Sequence, residues 1–281
     1  MILLDMNQVT ISNLMAQLGN HTNAQIEESI FRHMILNSIR SYKAQFGGNY
    51  GELIIACDNK NYWRKSIFPY YKASRKKAQE KSEINWPLIF EYIEKIKQEL
   101  KDYFPYRVID IETAEADDII AVLATNVNLY DKVLIISADH DFIQLHSLKN
   151  IEQYDPIHKR WIHHDNPAAY LREHVMRGDP GDGIPNVLSP DNCFVVGQRQ
   201  SRLTKQRLET LLTNDPRNYE EVLQRNYYRN LQLIDLANIP ADLQAKIMNQ
   251  YIEQAGKKRD KLMTYFMQHR LKNLLEYITD F

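Results

Sequence analysis

Lys132-Val-Leu-Ile-Ile-Ser-Ala-Asp139-His-Asp141-Phe-Ile-Gln-Leu145 begins as an unbroken aliphatic run and ends in two carboxylates. Val133 to Ile136 carry no polar interruption, the pattern of a parallel strand covered on both faces by helices; a half-solvated strand would alternate. Open α/β sheets bind ligands just beyond the carboxyl ends of their strands, which is where Asp139 and Asp141 stand. Two residues apart in extended chain, they project to the same side. Such a pair raises each other's pKa unless something positive lies between, and a divalent cation meets that need. A simpler role also fits, with one Asp capping the helix that Phe142-Ile-Gln-Leu-His begins.

Working outward, other apolar runs end in the same way. Ile2-Leu-Leu-Asp5 and Glu52-Leu-Ile-Ile-Ala-Cys-Asp58 read as strands closed by Asp, Arg107 to Ile111 as a third strand, and Ile151 to Tyr154 as a short fifth after Val133–Ser137. Between them lie helical patterns. One runs from Gln25 to Tyr42, closed by Phe46-Gly47-Gly48, and another from Ile84 to Phe104. A third opens at Thr113-Ala-Glu115-Ala-Asp117-Asp118, with Thr113 as cap and acids in the first turn. Strands alternating with helices imply a doubly wound parallel sheet. From Pro167 onward only helical periodicity is found. The expected division is therefore an α/β portion over 1–166 and an all-helical portion over 167–281.

The chain has 281 residues, 44% hydrophobic and 25% charged, enough for one large core or a core plus a smaller helical domain. No apolar run reaches membrane-spanning length, and Ile2 enters a strand with no basic leader, so a soluble, cytoplasmic protein is expected. Cys57 and Cys193 are too few for a disulfide framework and lack metal-ligand spacing. The net charge of -1 conceals a sharp local segregation. Lys60, Arg64, Lys65, Lys72, Arg75, Lys76, Lys77 and Lys81 stand against the single acid Glu80, a net charge of +7 within residues 60–81. Such a run is ordinarily a solvated face. Interleaved Tyr62, Trp63, Phe68, Tyr70 and Tyr71 change its meaning, because cations alternating with stackable rings suit a single-stranded nucleic acid.

A parallel sheet gathers the carboxyl ends of its strands along one edge, so Asp5, Asp58, Glu115, Asp117, Asp139 and Asp141 should converge on one crevice. Without cations their repulsion and desolvation would be severe. Oxygen-only donors suit hard divalent ions, and the absence of a His or Cys cluster disfavours zinc. Two Mg²⁺ or Mn²⁺ ions about 4 Å apart would suit in-line displacement at a phosphodiester. Arg177-Gly-Asp179-Pro-Gly-Asp182-Gly-Ile-Pro-Asn-Val187 offers two further acids, or is simply a good tight turn.

These elements together resemble the 5′-nuclease family of flap endonucleases, polymerase 5′-nuclease domains and phage 5′-exonucleases, and within it the ribonuclease H branch of the T-even-type phages. The resemblance rests on Asp5, Asp58, Glu115-Ala-Asp117-Asp118, Ser137-Ala-Asp139-His-Asp141 and the 178–187 turn, and is plain from Ile2 to Val187. It implies a PIN-like catalytic domain, with a helical arch inserted at about 59–84, and a helical C-terminal domain carrying a helix-hairpin-helix-like motif for duplex DNA. It implies two Mg²⁺ ions, replaceable by Mn²⁺: Asp5, Asp58, Asp117 and Asp139 at the first, with Glu115 close by, and Asp141, Asp179 and Asp182 around the second. Asp118 is read as a helix-surface acid and Trp63-Arg64 as a packing anchor for the arch. In the arch, Tyr71-Lys-Ala-Ser-Arg75 matches the family's Tyr-Lys-x-x-Arg, which implies that Lys72 and Arg75 steer the scissile phosphate while Tyr71 stacks on a base. Lys76 and Lys77 extend that cationic surface.

The implied activity is 5′-3′ exonuclease, ribonuclease H and flap endonuclease, on RNA-DNA hybrids and nicked or flapped duplex DNA. The implied setting is removal of lagging-strand primers in phage replication inside an infected bacterium, by a monomer, with a single-strand-binding protein and a sliding clamp as partners. A PIN-type endoribonuclease would be smaller and lack arch and second half; a catalytically inactive nucleic-acid binder would gain nothing from converging acids. The chain departs from the family pattern after Val187, where the usual Gly-x-Gly hairpin is reduced to Gly197. In its place Arg199, Arg202, Lys205 and Arg207 are expected on a mobile loop that grips duplex phosphates by side-chain charge.

Overall fold

The computed structural model describes residues 1–18 and 27–281, and its apolar runs pair into one six-stranded sheet. The strands β1 (Ile2–Asp5), β2 (Leu53–Ala56), β3 (Arg107–Ile109), β4 (Val133–Ile136), β5 (Ile151–Asp155) and β6 (Arg160–Ile162) lie in the order β3-β2-β1-β4-β5-β6. The first five are parallel and β6 is antiparallel to β5. The chain moves outward from β1 through β2 and β3, then returns to the other flank of β1 with β4. That reversal opens a crevice beyond the carboxyl ends of β1 and β4.

Between strands run α1 (Met6–Leu18), α2 (Glu28–Tyr50), α3 (Arg64–Ile67), α4 (Ala73–Glu80), α5 (Trp86–Tyr103) and α6 (Ala116–Val127). After β6 come α7 (Pro167–Arg177), α8 (Lys205–Thr213), α9 (Glu221–Ile234), α10 (Ala241–Glu253), α11 (Leu262–Gln268) and α12 (Lys272–Leu275). The continuous apolar spelling of the strands has its cause in burial on both faces. Ile2, Leu4, Leu53, Ile55, Leu134 and Ile136 face one core with α1, α2 and α5, while Leu3, Ile54, Ala56, Val133 and Ile135 face another with α6.

The second half of the chain contributes to both cores. Leu262, Tyr265 and Phe266 of α11, Leu274 of α12 and Phe281 join the first, and Leu243 and Ile247 of α10 join the second. Each such side chain contributes about 1.5–3 kcal/mol of burial. A third core unites Val175 and Met176 of α7, Leu208 of α8 and Ile234 of α9 with Phe68 and Tyr71 at the base of the arch. The open edge of β3 is also covered from this half: Gln254 exchanges two hydrogen bonds of 2.9 Å with the backbone of Val108, and Gln250 pairs in the same way with Asp110. These amides replace the missing neighbouring strand.

Several local expectations are corrected. The expected helix start at Gln25 lies outside the described residues; α2 starts at Glu28 and runs through Gly47 and Gly48 to Tyr50. Gly51, at φ 83°, stops it, its N–H bonding Gly47 O at 2.8 Å. Burial of Phe46 and the contacts of Tyr50 with Phe46 and Glu152 carry the helix across the two glycines. Thr113 lies at φ 72° and does not cap α6; Glu115 does, in a reciprocal box with Asp118. Asp118 is fully buried rather than on the surface, bonded by Trp63 Nε1 at 3.1 Å and paired with Arg64 at 2.8 Å. That pairing makes Trp63 and Arg64 the anchor expected of them. Asp139 and Asp141 do not lie in extended chain, because a 3-10 helix starts at His140 and turns Asp141 away. The segment after Val187 is pinned rather than loose: Asn186 bonds Gln200 and Ser201, Ser201 N–H donates to Ser189 Oγ, and Cys193 is buried.

The turn after α7 depends on Gly178. Its φ is 66°, and a Cβ there would lie 2.4 Å from Ile184 O and 2.5 Å from Pro185 O. Gly178→Ala is expected to lower unfolding free energy by about 2–3 kcal/mol through strain and overpacking. Gly48→Ala, in the last turn of α2 with open space around it, should instead add up to about 0.5 kcal/mol. Denaturant unfolding of both variants checks the pair, and a silent Gly178→Ala would refute the close approach.

Candidate metal centre and nucleic-acid cleft

The parallel strands deliver their terminal acids to one place. Asp5 closes β1, Asp58 and Asp139 follow β2 and β4, and Asp117 comes from the first turn of α6. All four line one cavity of about 1100 Å³. Each of the three strand-end acids is held by neutral donors. Asp58 accepts from Asn7 Nδ2 at 2.6 Å and Ala116 N at 2.7 Å, and Asp5 from Gln8 N at 3.0 Å and Ser137 Oγ at 3.2 Å. Asp139 accepts from Asp141 N at 2.9 Å, so it does cap the turn that follows, with no loss of its place in the cavity. Among the described residues no Lys or Arg forms an ion pair with these four.

Burial, then Asp58 and Asp139, push the Asp5 carboxyl up to about 7. Asp139 is likewise raised to about 7 by burial and then by Asp141, and Asp117 well above the usual range by burial and then Asp139 and Asp5. Four oxygen donors that repel one another and lack a counter-charge fit a hard divalent ion.

Glu115 and Asp182 differ from the rest. Glu115 is fully buried, its Oε2 paired with Arg64 at 2.6 Å, its Oε1 bonded by Lys72, and both oxygens reached by the Tyr71 hydroxyl. Asp182 accepts from Tyr71 at 2.7 Å, pairs with Arg75 and lies 3.5 Å from Lys72. Burial acts to raise the Asp182 carboxyl, but Lys72 and then Arg75 hold it below the usual carboxylate range. Both acids are thus already neutralised by the arch. The partners of Tyr71 also correct its expected role: only 2% exposed, it offers no face to a base. Tyr62, which the motif did not single out, lines the cavity instead, with the Lys65 and Lys72 ammonium groups about 5 Å from its ring.

Asp141 and Asp179 form a separate group with His174, a residue from the last turn of α7. His174 Nδ1 stands 3.1 Å from Asp141 Oδ1 and its Nε2 3.9 Å from Asp179 Oδ2. Burial acts to lower the imidazole, yet Asp141 and then Asp179 raise it; burial and Asp182 raise Asp179. A lone His near a helix C-terminus reads as a dipole partner, so nothing local in the chain marks this placement.

The same cavity is lined by Lys60, Lys65, Lys72, Arg75 and Lys76, and by the stacked pair Trp86 and Phe90. Lys77 is exposed on α4 outside the lining. Arg199, Arg202 and Lys205 lie near the start of α8 and do not line the cavity. Carboxylates facing ammonium and guanidinium groups across a cleft can hold cations on one side and phosphates on the other.

Comparison with known proteins places the chain in a family. The sequence profile of the 5′-3′ exonuclease N-terminal, resolvase-like domain matches residues 3–175, and that of the C-terminal domain of T4 RNase H matches residues 168–281. The chain is 34% identical to the ribonuclease H of Enterobacteria phage T4 over 99% of its own length and 95% of that protein. A flap endonuclease Xni of Shewanella woodyi is 31% identical over 44% of the chain and 49% of its own length. A crystal structure of the bacteriophage T5 flap endonuclease with DNA and metal ions shares the fold, with a TM-score of 0.63 at 19% identity, covering 90% of this chain and 98% of that one.

The raised acids predict a pH dependence. A carboxyl with a folded pKa above its unfolded value keeps its proton in the folded state, so its stabilisation is complete below about pH 4 and is lost as pH rises through about 7. In EDTA the melting temperature should therefore fall between pH 5.5 and 8 by about 3 °C more in the wild type than in Asp139→Asn. Mg²⁺ should abolish the difference at pH 8. Parallel melting curves in EDTA would refute the repulsion.

Proposed function

The chain belongs to the 5′-3′ exonuclease family of metal-dependent nucleases, and from that premise we propose that it hydrolyses RNA-DNA hybrids and nicked or flapped duplex DNA from 5′ ends, using two Mg²⁺ ions. The observation that carries the proposal is the gathering of Asp5, Asp58, Asp117 and Asp139 in one cavity that the cations of the arch also line. Asp141 and Asp179, beside them, are the ligands proposed for the second ion. Mn²⁺ would substitute. When bound, such ions raise the acidity of an attacking water and neutralise charge at the departing 3′ oxygen.

The residues of the chain do the rest. Lys72, held between Glu115 and Asp182, and the half-exposed Arg75 stand at the cleft wall, where a phosphate entering would meet two cations that are already oriented. Glu115 and Asp182 act in this proposal chiefly as their anchors. Tyr62, Trp86 and Phe90 offer ring surface to an unpaired strand. Arg199, Arg202 and Lys205 would take duplex phosphates at a distance from the cleft. Likeness to a phage ribonuclease H supports a role in removing primers during phage replication; a single-strand-binding protein and a sliding clamp are the partners proposed for that role.

A nicked RNA-DNA hybrid labelled at its 5′ or 3′ end tests the activity, with short 5′ products in Mg²⁺ expected and robust cleavage in excess EDTA refuting it. Asp139→Asn should lower cleavage by at least about a hundredfold while substrate binding is kept or tightened, since one repelling charge is gone. Turnover within about tenfold of wild type would remove Asp139 from the ligand set. Replacing Arg199, Arg202 and Lys205 together by Ala should weaken nicked-duplex binding and flatten its salt dependence by about one unit of slope for each phosphate that is no longer neutralised. Unchanged affinity would take this segment off the binding surface.

A further inference from the structure

We infer that His174 supplies a nitrogen ligand to the ion held by Asp141 and Asp179, so that this second position takes Mn²⁺ in preference to Mg²⁺. The inference rests on the two-ion reading above and assigns it a residue outside the acidic motifs.

Donor atoms of Asp141, His174 and Asp179 all lie within 4.8 Å of one another. The 3.1 Å between His174 Nδ1 and Asp141 Oδ1 matches the edge of an octahedron, about 3 Å when the bonds are about 2.1 Å. His174 Nδ1 is buried and has no aligned hydrogen-bond partner despite that short approach. A buried ring nitrogen left so is costly unless something else satisfies it. The donors are also fixed in place. The ring of Tyr170 packs on the imidazole at 5.9 Å, and the tight approach at Gly178 ties the end of α7 to the turn bearing Asp179. Asp141 sits on the 3-10 helix against which α7 packs.

Charge leads to the same conclusion. Asp182, the remaining acid of the turn, is occupied by Tyr71 and Arg75, so two carboxylates and a neutral imidazole would balance a dication. A ring nitrogen among the donors disfavours Mg²⁺, an oxygen-seeking ion, relative to first-row divalent ions including Mn²⁺, whereas the oxygen-only set of Asp5, Asp58, Asp117 and Asp139 suits Mg²⁺ and Mn²⁺ alike.

Mn²⁺ itself is the probe, bound to the full-length chain in a buffer without nitrogen ligands and followed by electron paramagnetic resonance. Wild type should bind two ions, and the electron spin echo of one should carry ¹⁴N modulation. His174→Gln should lose that modulation and weaken one Mn²⁺ site about tenfold. Mg²⁺ affinity, read by competition, should change less than about threefold. Two bound ions without ¹⁴N modulation in the wild type would overturn the assignment, with no variant needed. So would His174→Gln that keeps both affinities while Asp179→Asn loses one. A single Mn²⁺ in the wild type, indifferent to Asp179→Asn, would instead overturn the two-ion reading, and this inference with it.

Discussion

The ion-pair lattice of the buried Arg64 and Lys72 and the half-exposed Arg75 with Glu115, Asp118 and Asp182 is the constraint on which the rest depends. It ties three distant parts of the chain: the arch, the first turn of α6, and the turn after α7. Arg64 reaches further and donates through Nε to Leu233 O at 2.8 Å, fixing the end of α9. Buried pairs of this kind contribute little net stability compared with apolar packing, but removing one partner strands a charge at a cost of about 3–5 kcal/mol. The lattice therefore specifies an arrangement. With the amide of Lys72 bonded to Asp182 O at 2.7 Å, the base of the arch cannot shift without the turn.

That arrangement sorts the acids. Those neutralised by the arch, Glu115 and Asp182, serve position, and those at the strand ends are left facing one another with only neutral donors. Repulsion among Asp5, Asp117 and Asp139 is sustained by the two buried faces of sheet beneath it. In the proposed reading a bound dication would return the stability surrendered at the crevice, linking metal affinity and folding through the same carboxylates. The apolar strands supply the rigid platform, because β1 and β4 are paired in fixed register next to the reversal point of the sheet.

Much of this was legible in the sequence where a signal is local or periodic. Unbroken runs such as Val133–Ile136 marked parallel strands, and an Asp after most of them marked the crevice. What escaped was set by partners far along the chain. Asp118 looks like a surface acid until Arg64 and Trp63 arrive over it, and Tyr71 looks like a stacking ring until Glu115 and Asp182 take its hydroxyl. His174 carries no motif, since only the packing of α7 on the 3-10 helix brings it to Asp141. β6 went unseen because its three residues are at an exposed edge, where Trp161 packs on Tyr154 and Phe46 without any alternation to mark it.

The helical second half illustrates the same limit at larger scale. Its periodicity announces helices but not where they go, and they go to both faces and one edge of the sheet. Tyr265 of α11 donates to Glu99 at 2.7 Å, and Glu99 in turn holds Arg32 of α2, so a polar chain runs through the first core from the C-terminal end to the N-terminal helices. Gln250 of α10 and Gln254 just after it satisfy the edge of β3 that would otherwise lie open to association with another chain. The sheet that aligns the acids is thus completed by side chains 140 and 146 positions beyond the backbone they bond. The placement of the acids in the first half and packing in the second are therefore one folding problem.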